Sequence, residues 1–527
     1  MQRVGKTIGS AQCNSRGGPK ATVKLRVVLQ KIANAAGHLG NLRAKRVFGT
    51  RRSGAQSQQS QKTRIYPSNA GADLVRRACS QKATRPPPAV TLHASLHTPC
   101  LALHAMPTHG GCTTSIARRF WYFDRLEAFD VDRFATAADF VAAKKPERPV
   151  IAARPHAAAR AARWFIDNFP GDVAYAYKAN STVFFIGALY GAGIRHFDVA
   201  SVPELEDAVT IPGAHLHFMH PIKSREAIRK AYHVHGIRSF ALDSEDELNK
   251  IVTETSGKAG PARDLVLFVR ISVPPINSAV PLERKFGIAG PRAAKLLVKV
   301  RQVASELGIT FHVGSQTMTP DAYVQALSEV GILIAKAGVV VDRLDVGGGF
   351  PSIYPGMSPA PLEGFISAIS EGVHKLPVRD NVRLMCEPGR ALAAEAESLI
   401  VRVEARRGTD LFINDGGYGV LFDAAHLNWV FPVRLVSRVP APGEAYTPFA
   451  LWGPTCDSID FMKGPFVLPG SIKEGDYLEI TNVGAYGRAI AGDFNGYGKY
   501  DEVMLDDEPM LSMYGPETAA TVVAGQR

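Results

Sequence analysis

The chain contains eight short apolar runs, and each run ends in a polar or glycine-rich segment. Most gaps between successive run ends span about 20 to 45 residues, which is enough for one helix and two loops. Strand, helix and strand repeated in this way predict a parallel eight-stranded (β/α)8 TIM barrel, whose chemistry lies at the carboxyl ends of its strands. The chain is therefore predicted to be an enzyme. The run ends that would share one mouth are Lys178, Asp198, His220, Asp243, Arg270, His312, Asp345 and Glu387.

Helical patterns separate these runs. We expect helices at 155–168, 203–209, 224–235, 244–255 and 291–307. The widest gap contains the proline-rich segment 274–288, which is predicted to be a loop over the mouth of the barrel.

The pattern changes after Glu395, where short strand-like stretches follow one another with Gly, Pro and Asp between them. Such stretches are typical of an antiparallel sheet or barrel. An aromatic stretch at 118–125 could supply one more strand. The predicted domains are a (β/α)8 barrel at 150–394 and an antiparallel β-domain assembled from 118–149 and 395–527.

The N-terminal extension, residues 1–117, carries most of the positive charge. It contains 18 Lys or Arg residues and a single acid, Asp73, whereas the rest of the chain has 43 basic and 48 acidic residues. This low-complexity extension is predicted to be disordered. Its composition fits a transit peptide, an arm that touches polyanions, or a stretch that is not translated because synthesis starts at Met106.

The number of cysteines and the lengths of the apolar runs indicate where in the cell the protein is expected. Only Cys386 and Cys456 lie outside the extension, which predicts a reducing, cytoplasmic location rather than a disulfide framework. No apolar run approaches the ~18 residues that a membrane helix needs. A His- and Cys-rich stretch at 93–112 lacks the strand and helix pattern of a zinc finger, so no metal site is predicted. Neither nucleic acid nor membrane is expected as a partner.

Lys178 follows the first run and is flanked by Tyr175 and Tyr177. A lysine that is partly desolvated at a barrel mouth should have a lowered pKa, and it could then form an imine with an aldehyde. Taken alone, it would more often be an ordinary surface lysine.

Two later run ends contain residues that could bind an anion and an aromatic ring. Gly347, Gly348 and Gly349 can turn their backbone amides towards a phosphate, although such a triplet is more often a plain tight loop. Glu387 could keep a pyridine nitrogen protonated, and Arg390 could pair with a phosphate. The alternative for these two residues is a structural ion pair in a turn.

Other candidates lie along the chain. His312 could stack on a flat ring with Ser315 donating to a phosphate, and Tyr486 could bring a phenol to the same phosphate. The segment around Cys456 and Asp457 places a thiol beside carboxylates, which suits a proton donor and an anchor for a cationic substrate. Asp423 could provide a second anchor.

Together these segments resemble the fold-type III pyridoxal-phosphate decarboxylases, the group that acts on ornithine, lysine, arginine and diaminopimelate. The resemblance covers about 118–505, and the segments that carry it are YKAN, FDVAS, HVGS, DVGGGFP, EPGR, GPTCDSID, GAY and FNGY. The nearest branch resembles the ornithine and ornithine/lysine decarboxylases. Its fold would be a barrel followed by a β-domain.

The resemblance implies a role for each matching residue. Lys178 would bind pyridoxal 5'-phosphate covalently, Glu387 would pair with the pyridine nitrogen, and His312 would stack on the ring. Cys456 would protonate the carbon that has lost carbon dioxide, and Asp423 and Asp457 would hold the distal ammonium of the substrate. The phosphate would be held by Ser315, Gly347, Gly348, Gly349, Arg390 and Tyr486, and the site would be braced by Asp198, Glu204 and Arg270.

The resemblance also implies a homodimer in which the Cys456 segment reaches the barrel of the neighbouring subunit. The expected reaction is decarboxylation of L-ornithine to putrescine, with L-lysine as a further candidate substrate. Alternatives are diaminopimelate or another basic amino acid, and a non-catalytic regulator of the antizyme-inhibitor kind. Phe422 stands where many ornithine decarboxylases have tyrosine, so the preference between ornithine and lysine stays open.

Overall fold

The computed structural model describes residues 131–515. The extension 1–117 and the predicted strand at 118–125 lie outside the described residues. The strands are β1 Arg133–Phe134, β2 Val150–Ala153, β3 Asp172–Ala176, β4 His196–Val199, β5 His215–Phe218, β6 Ser239–Leu242, β7 Val266–Arg270, β8 Ser278–Val280, β9 Glu306–Thr310, β10 Ser315–Thr317, β11 Arg343–Asp345, β12 Arg383–Cys386, β13 Glu397–Arg407, β14 Asp410–Ile413, β15 Val433–Leu435, β16 Tyr446–Trp452, β17 Phe461–Pro469, β18 Tyr477–Ile480 and β19 Asp501–Leu505.

Helices alternate with the strands through the first part of the described chain. They are α1 Ala137–Lys144, α2 Pro155–Asn168, α3 Val183–Ala192, α4 Val202–Ala208, α5 Arg225–Arg229, α6 Glu245–Thr255, α7 Gly290–Val303, α8 Asp321–Ala337, α9 Leu362–His374, α10 Arg390–Ala393 and α11 Phe422–His426. Single 3₁₀ turns occur at Tyr177–Ala179, Ala394–Ala396 and Phe494–Gly496, and a π-helical turn at Lys230–Val234 continues α5. Among residues 131–515, no helix is both long and apolar enough to cross a membrane.

Eight strands close into a parallel barrel in chain order: β3, β4, β5, β6, β7, β9, β11 and β12. Each of the eight predicted run ends lies at the end of one of these strands or within two residues of it, so the predicted barrel is confirmed. Successive residues of a strand point to opposite faces. Phe240 and Leu267 accordingly pack in the main core, whereas the neighbouring Ala241 and Phe268 belong to a separate small cluster inside the barrel.

The remaining large sheet is mixed rather than purely antiparallel. Its order is β1-β19-β2-β13-β14-β16-β17, with β18 also pairing with β13 and β15. Strands β1 and β2 run parallel to β19, and β14 runs parallel to β16, which local strand patterns cannot predict. Strand β2 had been grouped with the barrel from its position at 150, but it pairs with β13 and β19. An isolated apolar run of four residues fits either environment equally well.

The predicted helix at 291–307 is too long, because α7 ends at Val303. Ala304 is already extended, with φ −80° and ψ 138°. The amide of Ser305 donates to the carbonyl of Leu265, so pairing with the barrel begins there and β9 follows at Glu306. Tertiary strand pairing therefore overrides the helical pattern of residues 304–307.

A fully buried arginine links several strands of the mixed sheet. Arg154, at the end of β2, donates to Glu479 at 2.8 Å, to Ser398 at 2.9 Å and to Asp507 at 2.7 Å. Neither the Arg154 side chain nor that of Glu479 is exposed. Burial alone would raise the pKa of Glu479, but Arg154 and Arg434 lower it. The network thus joins β2, β13, β18 and the segment after β19.

We predict that Arg154→Met lowers the free energy of unfolding by about 3–5 kcal/mol, because it removes the fully buried partner of Glu479 and leaves only the partly exposed Arg434 beside it. Arg148→Met is the matched control, since its pair with Asp501 is exposed and such pairs contribute about 0–1 kcal/mol. Urea unfolding of both variants measures the difference. Equal losses in the two variants would contradict the role of the buried network.

Candidate active site

A cavity of about 460 Å³ opens at the carboxyl ends of the barrel strands. We call it the mouth cavity. It brings together ten of the candidate residues, contributed by the barrel and by the segments that follow it. They are Lys178, Asp198, Arg270, His312, Ser315, Glu387, Arg390, Phe422, Asp423 and Tyr486.

Lys178 lies in the single turn after β3, where its Nζ donates to Asp198 Oδ2 at 2.9 Å. The side chain is 42% exposed because it faces the open cavity, although protein surrounds it. Burial opposes its charge, but Asp198, together with Tyr486 and Glu387, raises the pKa of Lys178. The expected lowering of this pKa is therefore wrong, because the nearby carboxylates outweigh desolvation.

A different lysine shows the expected shift. Burial lowers the pKa of Lys223 to about 8, with Glu247 opposing it. Its Nζ donates to the carbonyls of His220 and Ala241, and it does not line the mouth cavity. Desolvation alone therefore does not identify the lysine that faces a ligand.

Glu387 is one of the buried carboxyl groups of the site. It is 4% exposed, and its Oε1 has no hydrogen-bond partner among the described residues. Burial raises the pKa of Glu387, and the neighbouring Asp345 and Asp198 raise it further. Burial also lowers the pKa of Arg270, against the attraction of Glu387 and Asp345. A ring nitrogen that shares a proton with Oε1 would satisfy this orphaned oxygen.

Asp345 supports Glu387 from the end of β11. Its Oδ2 accepts from the Thr310 hydroxyl at 2.6 Å and its Oδ1 from the Gly347 amide at 2.9 Å. Burial raises the pKa of Asp345 to about 6. Sequence reasoning found Asp345 only as a run end and assigned it no role in the site.

His312 and the glycine triplet form one wall. His312 Nδ1 accepts from the Gly314 amide, and burial, with Arg270 and Lys178, holds the pKa of His312 well below its usual range. The ring is therefore neutral. A Cβ on Gly348 would lie 3.1 Å from His312 Nε2 and 2.5 Å from the Glu387 carbonyl, so only glycine lets these groups approach.

The other two glycines are required by their backbone. Gly347 has φ +69° and Gly349 has φ +118°, conformations that glycine adopts without strain. A Cβ on Gly347 would meet the Phe311 carbonyl at 2.0 Å. None of the three glycines is among the residues that line the mouth cavity, and Gly348 packs closely against His312 and the Glu387 backbone.

A cationic corner is built around Arg390, the first residue of α10. Its Nε donates to Ser315 Oγ at 3.4 Å and its Nη1 to Tyr354 at 3.2 Å. The guanidinium carbon lies 4.5 Å from the Trp429 ring and 5.1 Å from the Tyr486 ring. A guanidinium with a hydroxyl and a phenol beside it suits a phosphate. Tyr354 and Trp429 were missed, because no local signal ties them to Arg390.

Tyr486 reaches the cavity from the turn after β18. It has φ +61°, and its amide donates to the carbonyl of Ala179, the residue after Lys178. The two parts of the fold therefore meet at the site itself.

Glu204 does not line the mouth cavity. It caps α4, where its Oε2 accepts from the Ala200 amide at 2.6 Å while its own amide donates to Ser201 Oγ at 3.3 Å. This reciprocal arrangement is a capping box. Glu204 therefore fixes the turn that follows Asp198.

The proline-rich loop contributes the outer wall, as expected for a loop at the mouth. Val280, Leu282, Lys285 and Phe286 line the cavity, and β8 pairs with β10 next to Ser315. His220, whose ring lies 5.1 Å from that of Phe286, was not predicted as a site residue.

The two substrate-anchor candidates lie in different places. Asp423, on α11, lines the cavity with Phe422, and its Oδ2 lies 3.1 Å from Arg390 Nη1. Asp457 and Cys456 do not line the cavity of their own chain. The Asp457 carboxylate accepts from Tyr418 at 2.6 Å, and the Cys456 thiol is exposed and unpaired.

Sequence comparison relates this chain to known decarboxylases. Residues 155–394 match the family described as pyridoxal-dependent decarboxylase, pyridoxal binding domain. Ornithine decarboxylase of Mus musculus is 30% identical over 368 residues, which cover 64% of this chain and 76% of that protein. Lysine/ornithine decarboxylase of Selenomonas ruminantium is 30% identical (64% and 84% covered), and diaminopimelate decarboxylase of Pseudomonas fluorescens is also 30% identical (68% and 88% covered).

Solved structures give the same relationship. Arginine decarboxylase of Paramecium bursaria Chlorella virus, bound to agmatine, is 26% identical with a TM-score of 0.61 and covers 70% of this chain and 98% of its own. Lysine/ornithine decarboxylase of Vibrio vulnificus, complexed with cadaverine, is 27% identical with a TM-score of 0.60 (71% and 100% covered). SrLDC in complex with PLP and cadaverine is 25% identical with a TM-score of 0.60 (75% and 98% covered).

The residues present fit pyridoxal phosphate. Glu387 Oε1 lacks a partner, His312 is neutral, and Arg390 with Ser315 forms an anion corner. Lys178, which faces the same cavity, would supply the amine that the aldehyde of the cofactor requires. The cofactor of this protein is pyridoxal phosphate.

We predict that Gly348→Ala weakens pyridoxal phosphate binding, because the new Cβ displaces His312 or the Glu387 backbone. Gly364→Ala is the control, since its Cβ would meet only Pro320 at 3.5 Å. Titration of each apoprotein with cofactor, followed by absorbance, measures the two affinities. Unchanged binding in Gly348→Ala would show that cofactor binding does not require glycine at this position.

The sequence matches and the solved structures agree with the geometry of the mouth cavity, in which a lysine, a buried glutamate and an arginine surround one space. The share of the relatives' own length that this chain spans is large, from 76% to 88% for the three named above. The chain belongs to the family of pyridoxal phosphate-dependent amino acid decarboxylases.

Proposed function

We propose that the protein decarboxylates L-ornithine to putrescine and carbon dioxide, and that it accepts L-lysine as a second substrate. The observation that carries the proposal is the Asp423 carboxylate on the wall of the mouth cavity. An acid at this place favours a substrate with a distal ammonium group. The similarity to ornithine and lysine/ornithine decarboxylases supports the same substrate class.

The Asp423 carboxylate is well placed for this role. The residue is 7% exposed, and burial raises the pKa of Asp423 while Arg390 opposes the shift. A carboxylate has about four acceptor positions, so the contact with Arg390 leaves capacity for a substrate ammonium. Phe422, next to it, contributes an apolar ring whose centroid lies 4.4 Å from that of the His426 ring, with the two planes tilted by 50°.

We further propose that a second copy of the chain completes the site. Cys456 and Asp457 are outside their own mouth cavity but lie on a loop that hydrogen bonds hold in place. Asp460 holds that loop by accepting from the Gly417 amide at 2.7 Å and from the Thr455 hydroxyl at 2.7 Å. An exposed thiol on a fixed loop fits a head-to-tail homodimer in which the loop enters the partner's cavity.

The residues of this chain divide the reaction between them. Pyridoxal phosphate, when bound, supplies the electron sink for the electrons left behind by carbon dioxide. Asp198 accepts a hydrogen bond from Lys178 Nζ and favours its charged form, and Glu387, whose pKa is raised by burial, would share a proton with the ring nitrogen. His312 offers a neutral flat wall. Cys456 of the second copy would return a proton to the substrate Cα.

Two alternative functions can be distinguished from the proposed one. Diaminopimelate carries a distal carboxylate, which the Asp423 side of the cavity would repel. Antizyme inhibitor 2 of Xenopus laevis is 31% identical over 352 residues, so a regulator without activity is also a candidate. Lys178, Glu387 and Cys456 are all present in this chain, and they favour the enzyme.

The test is carbon dioxide release by the purified holoenzyme from ornithine, lysine, arginine and diaminopimelate, each supplied alone. We predict putrescine from ornithine, with kcat/KM above that for lysine by about tenfold, the effect of one methylene in a fitted cavity. A preference for diaminopimelate or arginine would contradict the assigned substrate. Bound cofactor without release from any of the four would favour the regulator.

We predict that Cys456→Ala retains the cofactor but decarboxylates poorly, because the proton donor at Cα is lost. Ser458→Ala, in the same exposed loop, is the control and should retain full activity. Product analysis by chromatography distinguishes amine from any aldehyde formed by misplaced protonation. Unchanged turnover and unchanged product in Cys456→Ala would remove this thiol from the mechanism.

A further inference from the structure

After β19 the chain returns to the barrel and passes beside the cationic corner around Arg390. We call residues 511–514 the bracing segment. Leu511 and Ser512 are buried, and the other two residues of the segment pack against the main core. The segment belongs to neither a helix nor a strand, so its position depends on its contacts with the rest of the protein.

Glu395 holds the middle of the bracing segment. Its carboxyl group accepts from the Ser512 hydroxyl and from the Met513 amide, both at 2.6 Å. Glu395 is buried, and Arg160 Nη2 lies 3.6 Å from its Oε2. Because Glu395 lies in the single 3₁₀ turn that directly follows α10, the bracing segment is held against the stretch of chain that begins with Arg390.

Tyr514 makes the first contact between the bracing segment and the cationic corner. Its hydroxyl donates at 2.7 Å to the carbonyl of Ala391, the residue after Arg390. Burial raises the pKa of Tyr514 well above its usual range, so the hydroxyl keeps the proton that it donates. The Tyr514 ring also meets the Trp164 ring of α2 edge to face, with centroids 6.0 Å apart. Because the last four carbonyls of a helix lack partners within it, a donor from outside stabilises a helix as short as α10.

Asn482, which follows β18, makes the second contact. Its Nδ2 donates to the Leu511 carbonyl at 3.1 Å and to the Ile353 carbonyl at 3.2 Å. Ile353 precedes Tyr354, whose hydroxyl accepts from Arg390 Nη1. Asn482 is fully buried and has φ +61°, a conformation that asparagine tolerates better than most residues. One side-chain amide therefore ties the bracing segment to the chain that carries a partner of the guanidinium.

We propose that the bracing segment positions Arg390 for the phosphate of the cofactor, with Tyr514 as the positioning residue. The inference rests on the assignment of that phosphate to Arg390. A guanidinium contacts a phosphate bidentately only in a narrow range of orientations, so a shift of the backbone that carries it weakens binding. Tyr514 restrains this backbone directly, and Asn482 restrains the chain that carries Tyr354. Tyr514 does not line the mouth cavity, so it acts through Arg390 and not by touching the cofactor.

The test compares pyridoxal phosphate with pyridoxal, which lacks the phosphate, by titrating the apoprotein of the full chain with each and following absorbance. We expect Tyr514→Phe to weaken binding of pyridoxal phosphate by about fivefold, the loss of one buried hydrogen bond, and to leave binding of pyridoxal unchanged. Asn482→Gly, in which glycine accepts the positive φ, should act in the same direction. Tyr477→Phe is the matched control and should bind both compounds as the unaltered protein does, because it also loses a buried phenol that donates to a carbonyl, that of Pro146 at 2.9 Å, but does not line the cavity.

A double variant shows whether Tyr514 acts through the guanidinium. Arg390→Gln alone should weaken binding of pyridoxal phosphate by about tenfold or more, and addition of Tyr514→Phe should weaken it no further. The proposal is overturned if Tyr514→Phe binds pyridoxal phosphate normally, if it loses pyridoxal equally, or if its loss persists in full in the double variant. If Arg390→Gln itself binds pyridoxal phosphate normally, the phosphate assignment fails and the inference with it. The choice of amino acid substrate affects none of these affinities, so the proposed function is tested separately.

Discussion

The active site depends on a cluster of opposite charges that the barrel holds away from bulk water. Glu387, Asp345 and Asp198 face Lys178 and Arg270, and each carboxylate would be costly to bury without these cations. The cluster is nevertheless incomplete, because Glu387 Oε1 and Asp198 Oδ1 have no hydrogen-bond partner among the described residues. A ring nitrogen that shares a proton with Glu387 Oε1 would satisfy that oxygen, so the buried carboxyl group favours binding of the cofactor.

The position of the cluster follows from the fold. Parallel strands expose their carboxyl ends at one mouth, so residues as distant in sequence as Lys178 and Glu387 share one cavity. The sheet completes it, because Tyr486 docks on Ala179 and Asp423 comes from α11.

Much of this arrangement could be predicted from the sequence, because strands buried on both faces read as continuous apolar runs whose ends are visible. The charge state of Lys178 could not, since it depends on Asp198, which only the closed barrel brings to 2.9 Å. Strand β2 was misplaced because four apolar residues do not encode their pairing partner. Tyr354 and Trp429 are distant from Arg390 in sequence and contact it only because the chain folds, so no local pattern predicts these contacts.

The most direct test is to reduce the cofactor-loaded protein with borohydride and to locate the modified residue by peptide mass mapping. Three lysines lie in or near the mouth: Lys178 beside Asp198, Lys285 on the outer wall, and Lys223 behind His220. We predict a single pyridoxyl group on Lys178, although Lys223 has the lower pKa. Modification of Lys223 or Lys285 in its place, or of no lysine, would contradict the proposed geometry of the active site.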